Sequence, residues 1–198
     1  MSFPAYPINQ TYQLCVSSGL MTGIAVWNGT TNGQVAAFRW TSTTKSCLVH
    51  RVAMTWRTTT GFTAAQEVGF GMWIIRGYTA PHSGIGTSGA ISKRWGAAAA
   101  TVAGGINISD TAQLTAGTFT LPTANDCILQ GWCAELATGA AVPKNGFSVE
   151  RCFNRDSGVP VRLEANEGLM VQNLIAMGAG GVGRLVVEIE YSEVSSTL

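Results

Sequence analysis

The stretch CLVHRVAMTWRT, residues 47–58, alternates with period two. Leu48, His50, Val52, Met54 and Trp56 fall on one side, and Arg51, Thr55 and Arg57 on the other. Only an extended backbone sends successive side chains to opposite faces; a helix would group residues three and four apart. The segment therefore predicts a half-buried antiparallel strand, with His50 on its apolar face as a hydrogen-bonded core residue. TGFTAAQ then makes a polar turn into EVGFGMWIIRG, where Val68, Phe70, Met72 and Ile74 share a face. Gly69 and Gly71 occupy the opposite face of that strand, which predicts a surface that is closely approached or covered.

Further short strands follow from the same pattern. They are TYQLCV, GIAVW, QVAAFRW, QLTAGTFTLP, DCILQGWCAEL, GFSVERCF, PVRLEANEG, LMVQNLIAM and RLVVEIEYSE. Many short strands separated by turn residues imply an all-β fold, read here as an antiparallel β-sandwich, jelly-roll-like, with long loops. The 198 residues form a single domain, long enough to bury a core without staples. One helix-friendly stretch, KRWGAAAATVAGG, allows a turn or two of helix between strands. The first residues, MSFPAYPINQ, read as an extended arm over 1–10, or out to about residue 34, because two prolines favour an extended backbone.

Charge narrows the function. Charged residues make up 12% of the chain, about half the roughly 25% of ordinary globular domains. A folded chain so poor in charge is expected to hide much of its exterior, in a membrane or in an assembly. No apolar run approaches the length of a spanning helix. The N-terminal residues carry neither a basic nor an apolar signal region. Assembly is the preferred reading, in a cytoplasm-like compartment or in something assembled there and later released. The charges are also unevenly distributed. Before Glu67 there are only bases, Arg39, Lys45, Arg51 and Arg57, whereas after Leu163 there are five acids against Arg184. Such ends are able to pair within the fold or between copies.

Gly178, Gly180 and Gly183 in IAMGAGGVGRL match G-x-G-x-x-G, the phosphate-cradling fingerprint of dinucleotide-binding folds. That turn must open a helix whose N-terminus receives the pyrophosphate, and an acid about 20 residues on must meet the ribose. Here a period-two strand follows and only 15 residues remain after Gly183. The glycines are read instead as the hairpin loop joining the last two strands, lying close to a neighbouring subunit.

Cys15, Cys47, Cys127, Cys133 and Cys152 show no C-x-x-C, and His50 and His82 are the only histidines. The cysteines are read as small reduced apolar residues, Cys127 and Cys133 facing the same side of one strand. The odd count leaves one thiol for a cross-link between copies. His82, beside Ser83 in a Gly/Ser loop, is the freer histidine but lacks an orienting acid. Glu188 and Glu190 share a strand face and read as solvated carboxylates. Arg51 and Arg57, near Arg39 and Trp40, are the only basic patch, and Trp56 faces away from them, so a nucleic-acid groove is not favoured. Asn9, Asn28 and Asn107 open N-x-S/T triplets, without weight in the absence of a secretory signal. No catalytic, cofactor-binding or metal-ligating residue is assigned.

RVAMTWRTTTGFTAAQEVGFGMWIIRGYTAPHSGIG, ISDTAQLTAGTFTL and EANEGLMVQNLIAMGAGGVGRLVVEIEYSE together resemble a group of small tailed-bacteriophage structural proteins. The resemblance covers roughly residues 48 to 195 with a gap in the middle. It is one of strands and turns: an aromatic strand, a TGFTAAQ-like turn, and an "EG-apolar-apolar" hairpin closing on acids. It implies a virion component with a β-sandwich fold, a capsid decoration or cement protein assembled in the host cytoplasm. Its partners would be the major capsid protein and copies of itself, as a homo-oligomer on the particle. The competing expectations are a tail-fibre or receptor-binding, carbohydrate-binding module, and a jelly-roll hydrolase or lectin, which should show metal ligands or paired acids in loops.

Overall fold

A computed structural model of the chain describes residues 11–26, 33–82, 86–88, 91–93, 104–109, 113–115, 117–137, 145–153 and 160–195. Among them run β1 (Thr11–Ser17), β2 (Met21–Thr22), β3 (Gln34–Trp40), β4 (Lys45–Thr60), β5 (Gln66–Ala80), β6 (Gly86–Ser88) and β7 (Ile91–Lys93). They continue with β8 (Gly104–Ser109), β9 (Thr118–Thr120), β10 (Cys127–Glu135), β11 (Gly146–Cys152), β12 (Val161–Leu163), β13 (Glu167–Asn173) and β14 (Val182–Ser195). The strands build two antiparallel sheets. The first has the order β11-β4-β14-β1-β7, with β12 beside β4 and β2 beside β14. The second has the order β10-β5-β13-β3-β8-β6, with β9 beside β5. This is the all-β sandwich expected from the alternation.

The facing sides share one core. Leu14, Met54, Trp56 and Ile189 from the first sheet meet Phe38, Phe70, Met72 and Val171 from the second, all almost fully buried. Trp56 and Phe70 meet across the sheets with ring centroids 5.1 Å apart. Each such side chain contributes about 1.5–3 kcal/mol on leaving water. A smaller cluster of Ala37, Ile75, Tyr78, Leu114 and Met170 lies on the outer side of the second sheet, with Phe119 packed against it.

Two one-residue bulges change what the sequence pattern predicted. In the β4–β14 ladder Arg51 pairs with Glu190 but Val49 with Tyr191, so His50 is the extra residue. Because side chains alternate strictly, one extra residue flips the inward set. Val52, Met54 and Trp56 point inward as expected, but before the bulge the core residues are Cys47 and Val49. His50 is corrected from the apolar face: it is half-buried and its Nε2 lies 2.7 Å from Ser192 Oγ. In the β5–β10 ladder Cys127 pairs with Trp73 but Leu129 with Met72, so Ile128 is extra. Cys127 and Cys133 therefore face opposite sides of β10, not the same one.

The described part of GIAVW, residues 23–26, is not a strand. Gly23 adopts φ +59° after the short β2. The Ile24 carbonyl is taken by Met177 N–H (2.8 Å) and Asn173 Nδ2 (3.0 Å) instead of a ladder partner. β1 lies between β14 and β7, so an arm reaching residue 34 is excluded. Residues 1–10, and most of KRWGAAAATVAGG, lie outside the described residues.

The glycine-rich loop joins β13 of the second sheet to β14 of the first, so it crosses between sheets and is not a hairpin. Gly180 has φ +79°, a region that glycine enters without steric cost. A Cβ on Gly181 would run into the Phe62 ring, and one on Gly183 into the Trp56 indole and the Arg57 carbonyl. Its glycines thus let the crossing press against this chain's own core. Gly181→Ala is expected to cost about 1–3 kcal/mol, measured by urea denaturation. Phe62→Leu in the same chain should recover part of the loss.

The oppositely charged ends pair within the fold. Lys45 Nζ meets Glu193 Oε2 at 2.6 Å, and Arg51 Nη1 meets Glu188 at 2.8 Å and Glu190 at 3.5 Å. Arg51 also reaches Glu150 at 2.9 Å. Its hydrogen bond to Glu188, foremost, holds the guanidinium pKa above its ordinary value.

Candidate functional site

The outer face of the second sheet beside β10 combines exposure with organisation. Gly69 and Gly71 occupy it because they alternate with the inward Val68, Phe70 and Met72. Trp132 on β10 pairs with Gly69, and a Cβ there would strike its benzenoid ring. The ring therefore lies over the neighbouring strand's backbone. Trp73 covers Gly71 in the same way. The surface predicted from the glycines as covered is covered, by two indoles. Trp73 is 9% exposed, but Trp132 is 48% exposed.

The flanking residues follow from register. Gln130, Ala134 and Leu136 lie on the Trp132 side of the chain and are exposed, as is Glu67 opposite Ala134. Gln130 pairs with Gly71, which pairs on its other side with the fully buried Gln172. β10 is an edge strand. Arg151 Nη1 donates to its Ile128 carbonyl (3.0 Å), and Asn145 Nδ2 to its Ala134 carbonyl (2.6 Å). On the inner side, Phe147 and Val149 of β11 occupy the space a Cβ on Gly131 would need. These contacts close the sandwich along this side and blunt strand addition.

A buried polar chain lies behind this face. Trp56 Nε1 donates to Thr58 Oγ1 (3.0 Å), which donates to Glu135 Oε1 (2.5 Å). Cys133 Sγ also donates to that oxygen, at 3.5 Å. Burial, then the Glu135 carboxylate, push the Cys133 thiol up to about 12. It therefore stays protonated and is not an activated nucleophile.

The other sequence candidates are dispersed. His82 is corrected from a free loop residue: it is 2% exposed. The Tyr78 hydroxyl accepts the His82 backbone N–H (3.2 Å) and closes on its Nδ1. Phe119 stacks on the imidazole at 5.5 Å. Asn107 Nδ2 donates to the His82 carbonyl at 2.7 Å. Nε2 is buried without a partner, and burial lowers the pKa to about 4. Ser83, Asn9 and Asn28 lie outside the described residues.

Glu188 and Glu190 do share a face, where Arg51 occupies them. Arg39 lies on the second sheet, with Nε 2.6 Å from the Tyr78 carbonyl and Nη2 3.0 Å from Asn166 Oδ1. Arg51 and Arg57 lie on the first sheet, and Trp40 and Trp56 are buried, so these bases form no common groove. All five cysteines are unbridged: Cys47 is buried, Cys15 and Cys152 are exposed, and Cys127 and Cys133 are half-buried. Among the described residues no three His, Cys, Asp or Glu side chains are placed to hold a metal ion. No helix among them is long and apolar enough to cross a membrane.

The chain matches no protein-family model, and no curated protein matches it in sequence.

Trp132 is the residue that reading by motif passed over. Its signal was present: DCILQGWCAEL sends Gln130, Trp132 and Ala134 to one side, and Gly69 and Gly71 leave room for an indole on the neighbouring strand.

Proposed function

We propose that this protein is a non-enzymatic structural component of a tailed-bacteriophage particle, decorating or cementing the capsid by bridging neighbouring shell subunits. The observation that carries this reading is where apolar surface is left open on a chain so poor in charge. Leu20, Val26, Leu121, Trp132 and Leu136 are each at least 41% exposed. Leu20 and Val26 flank β2. Leu121 follows β9, whose Thr120 pairs with Arg76, seven residues along β5 from the Gly69 opposite Trp132. That is a separation of roughly 20 Å. Small apolar contacts at separate places suit simultaneous contact with several neighbours, where multivalency replaces any single strong interface. The partners would be the major capsid protein and further copies of this chain, and the place of action the virion.

The strand order supports the same reading. The orders β1-β14-β4-β11 and β3-β13-β5-β10 in the two sheets support reading the sandwich as a jelly roll, an architecture used by viral shell proteins and by lectins. The resemblance of residues 48 to 195 to phage structural proteins points the same way. Locating the chain in an intact particle tests the proposal. Many copies over the shell are the expected result, and a few copies at the tail tip would overturn it. Deleting residues 1–10 is expected to weaken particle binding more than it lowers the melting temperature of the isolated chain. Equal loss of both would remove the arm from the proposal.

A further inference from the structure

The geometry points to the outer face around Trp132 as a saccharide-binding platform, on which the apolar face of a pyranose ring stacks against the indole. This inference does not rest on the virion reading, since binding is read on the isolated chain.

The posture of the ring comes first. Trp132 lies over Gly69, where any Cβ would displace it, and it remains 48% exposed. A side chain laid down on the sheet offers a broad face, whereas an anchor that fills a partner's pocket must project. The glycine holds the platform ready without further ordering, which lowers the entropic cost of binding.

The rim gives the ligand its chemistry. Gln130 and Glu67 are exposed beside the ring on the same face. They supply an amide and a carboxylate suited to hydroxyl groups, which are both donors and acceptors. Gln130 Nε2 is 3.3 Å from Cys127 Sγ, which steadies the side chain. A flat apolar surface bordered by hydroxyl-seeking groups matches a sugar ring, apolar on its axial C–H face and polar at its edge. Ala134, two residues on from Trp132, keeps the strand low before Leu136, so an oligosaccharide is able to lie along β10.

Two competing occupants fit less well. A nucleobase would stack equally, but nucleic acid needs cations for its phosphates. Among the described residues, the second sheet's Arg39 is engaged with Tyr78 and Asn166, Arg76 with Asp126 and Glu167, and Arg151 beside β10 with the Ile128 carbonyl and the Phe153 ring. A partner strand adding to the edge of β10 meets Arg151 and Asn145 already on the Ile128 and Ala134 carbonyls.

The test is a titration of the full chain with maltohexaose, cellohexaose and chitohexaose, and with lipopolysaccharide-derived O-polysaccharide. It is followed by tryptophan fluorescence and by calorimetry. At least one glycan is expected to bind. Trp132→Ala should weaken that binding by about tenfold or more, while Trp132→Phe, which keeps an aromatic face, retains part of it. Both variants should keep the parent melting temperature because the side chain is half exposed. Binding of none of the four glycans by the parent chain would overturn the inference, as would binding that Trp132→Ala leaves unchanged. If Trp132→Ala instead lowers occupancy on purified particles while no glycan binds, the face is a protein contact and the saccharide platform is refuted. The virion reading would then stand.

Discussion

Trp56→Ala is expected to destabilise the fold by about 3–5 kcal/mol, the range for deleting a large buried aromatic. Trp56 is 1% exposed, and its ring meets Phe70 across the core and fills the space above Gly183. Gly183 is fixed where the crossing loop enters β14, so the cavity has little freedom to collapse. The substitution also removes the indole N–H that donates to Thr58 Oγ1, which itself supports the buried Glu135. Urea denaturation with an unchanged slope measures the loss. Trp132→Ala is the internal contrast, since its ring is half exposed; a surface change of that kind stays within about 0.5 kcal/mol of the parent. Similar losses at the two tryptophans would contradict the packing described for both.

The second large effect is acid destabilisation through His82. Its folded-state pKa is lowered to about 4 by burial, against about 6.5 in an unfolded chain. Between those values the unfolded state binds a proton that the folded state refuses, so stability falls as pH falls from about 6.5 to about 4. Above that window the contribution is fully present; below it the loss levels off. The lowering is worth about 3 kcal/mol over the whole window. Protonation would place a charge between Tyr78 and Phe119 with Arg39 above the Tyr78 ring, 5.7 Å from its centroid. Comparing urea midpoints of the parent and His82→Gln at pH 7.5, 5.5 and 4 isolates this group from the carboxylates. Parallel pH profiles for the two chains would rule it out.

Much of the fold was legible because alternation is a local property. Spacing alone puts Val52, Met54 and Trp56 on one face, and likewise Val68, Phe70 and Met72, and the core holds all six. The covered face over Gly69 and Gly71 followed from glycines standing where side chains should be. The separation of bases and acids along the chain allowed pairing within the fold or between copies, and Lys45–Glu193 and Arg51–Glu188 provide it within the fold. That the glycine-rich loop opens a strand and not a helix also followed from the period-two pattern after it, which is β14.

The site was less legible, since it joins residues distant in sequence. Gly69 and Trp132 meet only because β10 pairs with β5, and no local pattern selects that partner. His82 looked free in its loop because Tyr78 and Phe119, which enclose it, come together through the β5–β9 pairing. The bulges at His50 and Ile128 were invisible for a related reason. An extra residue is defined only against the strand it faces, and it reverses the parity of everything beyond it. The sequence by itself determined that the chain is extended, which faces are apolar, and that GAGGVG opens no helix. Tertiary structure alone decided the partner of each strand, the direction of each side chain past a bulge, and the core that the loop glycines make room for. Alternation is encoded residue by residue, whereas pairing is chosen by the packing of the whole.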